Sequence, residues 1–536
     1  MAVSSEAFAT GWCVVASATA RVRAPALAAL ITGCAFFASG AATARAETLQ
    51  SALTSAYRTN PGLDAERARL RATDEEGSKA RAGWKPTVTG RAEYGRVKLK
   101  TDPTSSSDTN VNQSGYGVTF TQPLFTGFRT LNAVNEAEAR IRAGRERLRR
   151  IEAEVLLAAA TAYADVVRDI ALVNLAKHNV QVLGQELRAA ETRRKVGEVT
   201  LTDVAQARAR HAKALSSLDQ ATANLRGSRA NFRKVVGHLP GPLRATRTLG
   251  RLLPRSMRAA TRVGLEESPV VGEARFEEQA ARFAVDKIWG ELLPQVRLEA
   301  TYDHTDNVTD QLRSQDSARI MGRVTVPLYQ GGETRARVRQ AKHIHVSRIQ
   351  EIEKARTEVR AKIVAAWSQL VAARARLESD LVQVRAAKTA LKGVRTEEKV
   401  GQRTLLDVLN AEQELVEAES AVTRTRRDIV VAEFDLLAAL GRLDSRFLSL
   451  PIAHYDPEIH YREAKGKWFT VSITSPGLRG RAEPENRPER HPYPVVARAP
   501  GRRPPLRGER PPPVASSPGS GADRPPPPAM RGGFAP

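Results

Sequence analysis

Two short stretches hold the residues best placed to do chemistry. Residues 194–204 read RKVGEVTLTDV and residues 398–408 read EKVGQRTLLDV, so V-G-x-x-x-L-x-D-V recurs 204 residues apart. Val196-Gly197 and Val400-Gly401 suit the end of a helix, because glycine adopts the left-handed stop at little cost. Thr200 with Asp203 and Thr404 with Asp407 form T-x-x-D boxes that cap the helix to follow. Capping accounts for the glycine, threonine and aspartate of each copy. It leaves Arg403, which has no capping task at its position, unaccounted for.

Other chemistries lack support. His343 and His345 fall on a helical stretch, where positions two apart do not share a face, so they make a poor metal pair. No Ser/His/Asp set has supporting context, and no G-x-x-x-x-G-K-[ST] loop is present to hold nucleotide phosphates. The expectation is a protein that is not an enzyme, with no metal and no cofactor.

The two stretches belong to a longer repeat. At the same offset Pro123-Leu124-Phe125 meets Pro327-Leu328-Tyr329, and Gly237 meets Gly441. Upstream the offset becomes 208: Asn60-Pro61 meets Ser268-Pro269, Pro86 meets Pro294, and Tyr94 meets Tyr302. Repeat 1 therefore covers 47–250 and repeat 2 covers 251–469. Each has the order helix, strand, loop, strand, long helix, turn, helix. In repeat 1 the hairpin spans 86–124, the long helix 127–196 and the return helix 202–237. In repeat 2 the corresponding spans are 294–328, 331–400 and 404–441.

The strands carry a period of two. Val296, Leu298, Ala300 and Tyr302 alternate with Gln295, Arg297, Glu299 and Thr301; Tyr116, Val118 and Phe120 alternate with Gly117, Thr119 and Thr121. Four strands with one apolar face cannot close a barrel alone, and an open sheet edge is excluded from lipid. A barrel shared between copies is expected. Pro86, Pro123, Pro294 and Pro327 mark the strand–helix junctions, since proline interrupts both kinds of ladder. Phe120, Phe125, Phe128 and Tyr329 lie near them and suit an interfacial aromatic belt, or ordinary packing. The proline-free runs 127–196 and 331–400 would each extend about 100 Å as helix. The return helices, and a single opening helix from Glu47 to Gly83, would each cover about 50 Å, so an opening and a returning helix end to end match one long helix.

Composition frames this core. Both cysteines, Cys13 and Cys34, precede Glu47. A basic flank, an apolar run and Ala44-Arg45-Ala46 predict a signal peptide over 1–46; Ile31-Thr32-Gly33-Cys34 offers lipidation as the alternative. The net charge of +24 is spread over mixed-sign helical faces and the C-terminal segment, without the aromatic interleaving of a nucleic-acid site, so no nucleic-acid partner is expected. Residues 470–536, rich in Pro and Arg, predict a disordered tail; 17 of the 30 prolines fall between Pro476 and Pro536.

The QPLF/VPLY junctions, the two V-G-x-x-x-L-x-D-V tips and the closing AALG segment resemble the TolC family of outer-membrane channel proteins over about residues 47–469. These are the exit ducts of type I secretion systems and tripartite efflux pumps. The resemblance implies an α+β membrane fold: a homotrimer sharing a 12-stranded outer-membrane β-barrel above a helical periplasmic coiled-coil tunnel. It implies as partners outer-membrane lipid, a periplasmic membrane-fusion adaptor docking at Val196, Gly197, Val400 and Gly401, and an inner-membrane transporter, ABC or proton-driven. YDPEIHYREAKGKWF resembles the close of type I secretion members, with multidrug or metal efflux as the alternative and a soluble coiled-coil scaffold or basic nucleic-acid binder as the reading from another class.

At the gate, the resemblance pairs Arg403 with Thr202 and Asp203 of a neighbouring protomer and turns Asp407 toward the pore. The family pattern has a second acidic residue where this chain has Asn410, so one ring of charge is missing. It often has tyrosine where this chain has Glu398, which could pair with a nearby base instead.

Overall fold

The computed structural model describes residues 47–99, 109–244, 249–309 and 312–473. The expected signal peptide lies outside the described residues, as does the expected tail beyond residue 473.

The opening helix of each repeat is divided, not the single span expected from Glu47 to Gly83 in repeat 1. Helix α1 (Leu49–Thr59) stops at Asn60 and α2 (Pro61–Arg81) begins at once. Pro61 lacks an N–H and pushes the residue before it out of helical geometry; Asn60 accordingly sits at φ −72°, ψ 116°. Its side-chain oxygen accepts from the N–H groups of Gly62 (2.9 Å) and Leu63 (3.3 Å), capping α2. Repeat 2 has the same break at Ser268, between α5 (Met257–Glu267) and α6 (Pro269–Trp289).

The break is where a returning helix arrives. Helix α4 (Leu201–Val236) ends against α1: Ser55 Oγ and Thr59 Oγ1 donate to the Val236 carbonyl at 3.1 and 3.0 Å. Asn60 Nδ2 donates to the Val235 carbonyl at 3.3 Å. Carbonyls that the last turn of α4 cannot satisfy internally thus find partners at the end of α1. In repeat 2, Gly441 follows the end of α8 (Leu405–Ala439) with φ +75°. A Cβ there would lie 2.6 Å from the Glu267 carbonyl oxygen, at the end of α5.

The strands β1 (Thr87–Leu99), β2 (Thr109–Phe125), β3 (Gln295–Asp306) and β4 (Ser314–Thr325) form one antiparallel sheet in chain order. The β2–β3 pairing joins the two hairpins although most of repeat 1 separates them in sequence. The register places Val88, Phe120, Ala300 and Ile320 in one row and Gly90, Val118, Tyr302 and Ala318 in the next. The opposite face carries Thr89, Thr119, Thr301 and Arg319. Val88 and Ile320 remain 65% and 78% exposed, so the apolar face is uncovered in a single chain. Pro86 and Pro294 immediately precede β1 and β3, and Pro327 follows β4. Pro123 differs from its expected junction place: it lies within β2, at a register shift between Pro123 and Phe125, and the strand resumes after it.

Two helices of 67 residues descend from the sheet: α3 (Arg129–Lys195) and α7 (Glu333–Lys399). Each is about 100 Å long at 1.5 Å per residue. Their packing is Ala-rich; Ala159, Ala160, Ala162 and Tyr163 of α3 are fully buried beside Phe232 of α4. The short helix α9 (Pro457–Gly466) lies on α2, with His460 Nδ1 2.9 Å from Asp74 Oδ2 and Ser78 Oγ donating to the Ala464 carbonyl at 2.9 Å.

Candidate functional site: the paired helical tips

Each long helix ends in the same turn. Helix α3 stops at Lys195, Val196 caps it, and Gly197 takes φ +83°; α7 stops at Lys399 and Gly401 takes φ +80°. Basic residues fill the last turn of α3 (Arg193, Arg194, Lys195), where the helix dipole favours cations. The return helices begin with complete capping boxes. Asp203 Oδ2 accepts from the Thr200 N–H (2.9 Å) and hydroxyl (2.8 Å), while Asp203 N–H donates to Thr200 Oγ1 (3.2 Å). Asp407 Oδ2 accepts from the Thr404 N–H (3.0 Å) and hydroxyl (2.9 Å), with Asp407 N–H donating back at 3.3 Å. The backbone N–H bond, then the hydroxyl, holds each aspartate below its ordinary range. Val196 and Val400 are left 69% and 68% exposed at the extremity.

The two tips stand together. Leu183, Ala190, Val204 and Ala207 of α3 and α4 share an apolar core with Leu405 and Leu409 of α8. Around it runs a set of ion pairs and hydrogen bonds. Arg193 on α3 pairs with Glu398 on α7. Arg210 on α4 donates to Asn410 Oδ1 on α8 at 2.7 Å. Arg395 on α7 pairs with Glu412 on α8 and approaches Glu186 on α3 at 3.5 Å. Burial pushes the Glu412 carboxyl up, and Arg395 pulls the other way.

The residues singled out in the sequence divide accordingly. Glu398 and Asn410 each bridge the two hairpins. Asp203 and Asp407 are engaged in their own caps, and Thr202 is exposed. Within the chain, Arg403 Nε donates to Glu397 Oε2 at 3.0 Å. Both side chains are about half exposed, so this pair is open to exchange.

Arg193, Arg210 and Glu397 were not picked out by sequence. A signal for two of them was present. At the 204 offset Arg193-Arg194 aligns with Glu397-Glu398, so the copies carry opposite charge at the same register. The arrangement supplies charge-based clasps at a helical end about 100 Å from a sheet with an uncovered apolar face.

The family described as "Outer membrane efflux protein" matches residues 52–238 and 263–442, one segment in each repeat. The outer membrane efflux protein BepC of Brucella suis biovar 1 (strain 1330) is 38% identical over 425 residues, covering 79% of this chain and 91% of its own. The alkaline protease secretion protein AprF of Pseudomonas aeruginosa is 26% identical over 348 residues, 62% of this chain and 71% of AprF. Among solved structures, the outer membrane protein VceC of Vibrio cholerae superposes with a TM-score of 0.64 at 20% identity, over 73% of this chain and 96% of VceC.

Proposed function

The chain belongs to the outer membrane efflux protein family, the TolC-like outer-membrane channels, and from that premise we propose that it is the exit duct of a transport assembly. Three copies would place their four-stranded sheets edge to edge as a 12-stranded barrel, with the long helices as a periplasmic tunnel. The observation that carries this reading is the uncovered apolar row Val88–Phe120–Ala300–Ile320 on a sheet whose outer strands, β1 and β4, each have a neighbour on one side only. Lipid outside and partner strands at both edges would satisfy both features.

In this reading the duct is passive, and the energy comes from an inner-membrane transporter coupled through a periplasmic adaptor at Val196-Gly197 and Val400-Gly401. Arg403 exchanges Glu397 for Thr202 and Asp203 of a neighbouring protomer when the entrance closes. Asp407 faces the pore, leaving one ring of carboxylates where Asn410 supplies none. Docking of the adaptor breaks these links and the inner helices move outward. Type I protein secretion as the cargo class is supported by the closing YDPEIHYREAKGKWF segment and the likeness to AprF. An efflux duct for small molecules is the second reading, favoured by the name of BepC, the 38% identical relative.

Membrane fractionation tests the proposal. Heat-modifiable trimers in the outer-membrane fraction, conducting ions in planar bilayers, are expected. A soluble protein, or one that inserts without conductance in any variant, overturns it.

A further inference from the structure

Five side-chain atoms among the described residues are buried without a hydrogen-bond partner, and three of them belong to residues lining a single cavity. They are Arg67 Nε on α2, Arg145 Nε on α3 and Tyr455 Oη in the segment leading to α9. The cavity measures about 370 Å³, within the span of about 300–1,000 Å³ usual for small-molecule sites. Arg67 and Tyr455 are only 2% and 7% exposed, so bulk water does not serve them.

All three orphans can donate, and the two guanidinium nitrogens among them can do nothing else. Arg67 NH1 is held by Asp64 at 2.9 Å and NH2 by the Tyr57 carbonyl at 3.3 Å. Arg145 is held at NH1 by Glu458. Each acidic group of the lining has one oxygen engaged by backbone: Glu152 Oε1 accepts from Ser445 N–H at 2.7 Å, and Asp444 Oδ1 from Phe447 N–H at 2.6 Å. Two further guanidinium groups line the cavity: Arg149, held by Glu146 at 2.8 Å and donating to the Gly441 carbonyl at 3.4 Å, and the exposed Arg446. Guanidinium nitrogens cannot accept a hydrogen bond, so what completes the cavity must accept.

We infer that this cavity binds a small oxyanion, a phosphate or carboxylate group, which clasps the 444–457 segment to α2 and α3. Residues from three parts of the chain, each with an unmet polar atom, line the cavity beside two further arginines, and an oxyanion offers several acceptor lone pairs and the complementary charge. Arg446, at the exposed side, would meet the ligand first. The site involves neither tip, so it stands or falls apart from the gating proposal.

The test is thermal denaturation of the purified full-length protein in detergent, with inorganic phosphate or citrate titrated against sodium chloride at matched ionic strength. A saturable rise in Tm with phosphate assigns the phosphate form, and a rise with citrate alone the carboxylate form; both support the site. Tyr455→Phe removes one unmet donor and is expected to keep the fold while weakening the apparent affinity about tenfold, the scale of one hydrogen bond to a charged group. Arg446→Gln, altered on the exposed side, is expected to weaken it as well and carries the test should Tyr455→Phe not fold. Tyr302→Phe, in the sheet, should respond like wild type. Responses to both anions no greater than to chloride overturn the inference. So does an undiminished response in a folded Tyr455→Phe, or in Arg446→Gln if that variant stands alone.

Discussion

Arg193 and Glu398 form an ion pair that ties the first repeat to the second where their long helices end. The two positions do not align in the duplication; each is basic or acidic where the other copy has the opposite charge. The repeat has diverged so that its copies attract.

The pair is partly shielded, with side chains 38% and 14% exposed. Its coupling should be about 1 kcal/mol, a roughly fivefold factor in a two-state opening equilibrium. Arg193→Glu and Glu398→Arg are each expected to raise closed-state conductance in planar bilayers, and the double reversal to restore it. Additive effects in the double variant would show that the residues do not act as a pair.

Arg403 gives a sharper comparison. Arg403→Ser is expected to raise single-channel conductance if the residue holds the entrance shut. Glu397→Gln frees Arg403 from its partner at 3.0 Å, so it should lower conductance or leave it unchanged if the closing partners are Thr202 and Asp203 of a neighbour. Equal increases in both variants would instead make the Arg403–Glu397 pair itself the latch.

Much of this was legible in sequence because duplication prints the same constraint twice. The tips, their capping boxes and the strand alternation follow from residue type and local spacing. What could not be read depends on distant chain. The break at Asn60 is written as Asn-Pro, yet the apolar periodicity runs through it; the partners that stabilise it, Val235 and Val236, lie about 175 residues away. For Arg403 the resemblance, not spacing, names partners on another copy, while Glu397, its partner within the chain, lies six residues away. The packing of α9 on α2 through His460 and Asp74 spans 386 residues and has no local signature.

Two glycines separate conformational from packing roles. Gly401 has φ +80° with open space around a would-be Cβ, so Gly401→Ala should cost only the left-handed penalty of about 1–2 kcal/mol. Gly441 has φ +75° and, besides the Glu267 carbonyl, would meet Pro269 Cδ and Ser268 Cα at 2.8 Å. Gly441→Ala should lower the denaturation temperature clearly more than Gly401→Ala. A bulky residue at 401 should impair adaptor-dependent export while trimers still assemble, as gel mobility before and after heating would report.

The caps predict the response of the tips to acid. Asp407 binds its proton more weakly when folded, because the Thr404 N–H and hydroxyl favour the carboxylate. Its contribution is therefore present above the unfolded value of 3.8 and is lost as pH falls through the lower folded value. An environment-sensitive label on a cysteine placed at Gln402 should give a steady signal from neutral pH to about pH 4 and change below it. Asp407→Asn should remove that acid step. A step near pH 6 in the wild type would point to a different group.

The helix breaks offer the last contrast. Asn60 caps α2 with two bonds and gives a third to Val235. Ser268, its counterpart, is buried but makes no side-chain capping bond to α6. Both repeats seat a glycine closely on the end of the opening helix, Gly237 on Thr59 and Gly441 on Ser268, but only repeat 1 adds a side-chain cap. Asn60→Ala should cost about 1–2 kcal/mol, the usual loss of an N-cap. Ser268→Ala should cost less than about 0.5 kcal/mol, since it removes no capping bond and leaves the backbone of residue 268 packed on Gly441. Chemical denaturation of the two variants beside wild type measures both. Equal losses would mean that the breaks are stabilised alike, and that the capping bonds of Asn60 add nothing to the end-to-end joint between α1 and α4.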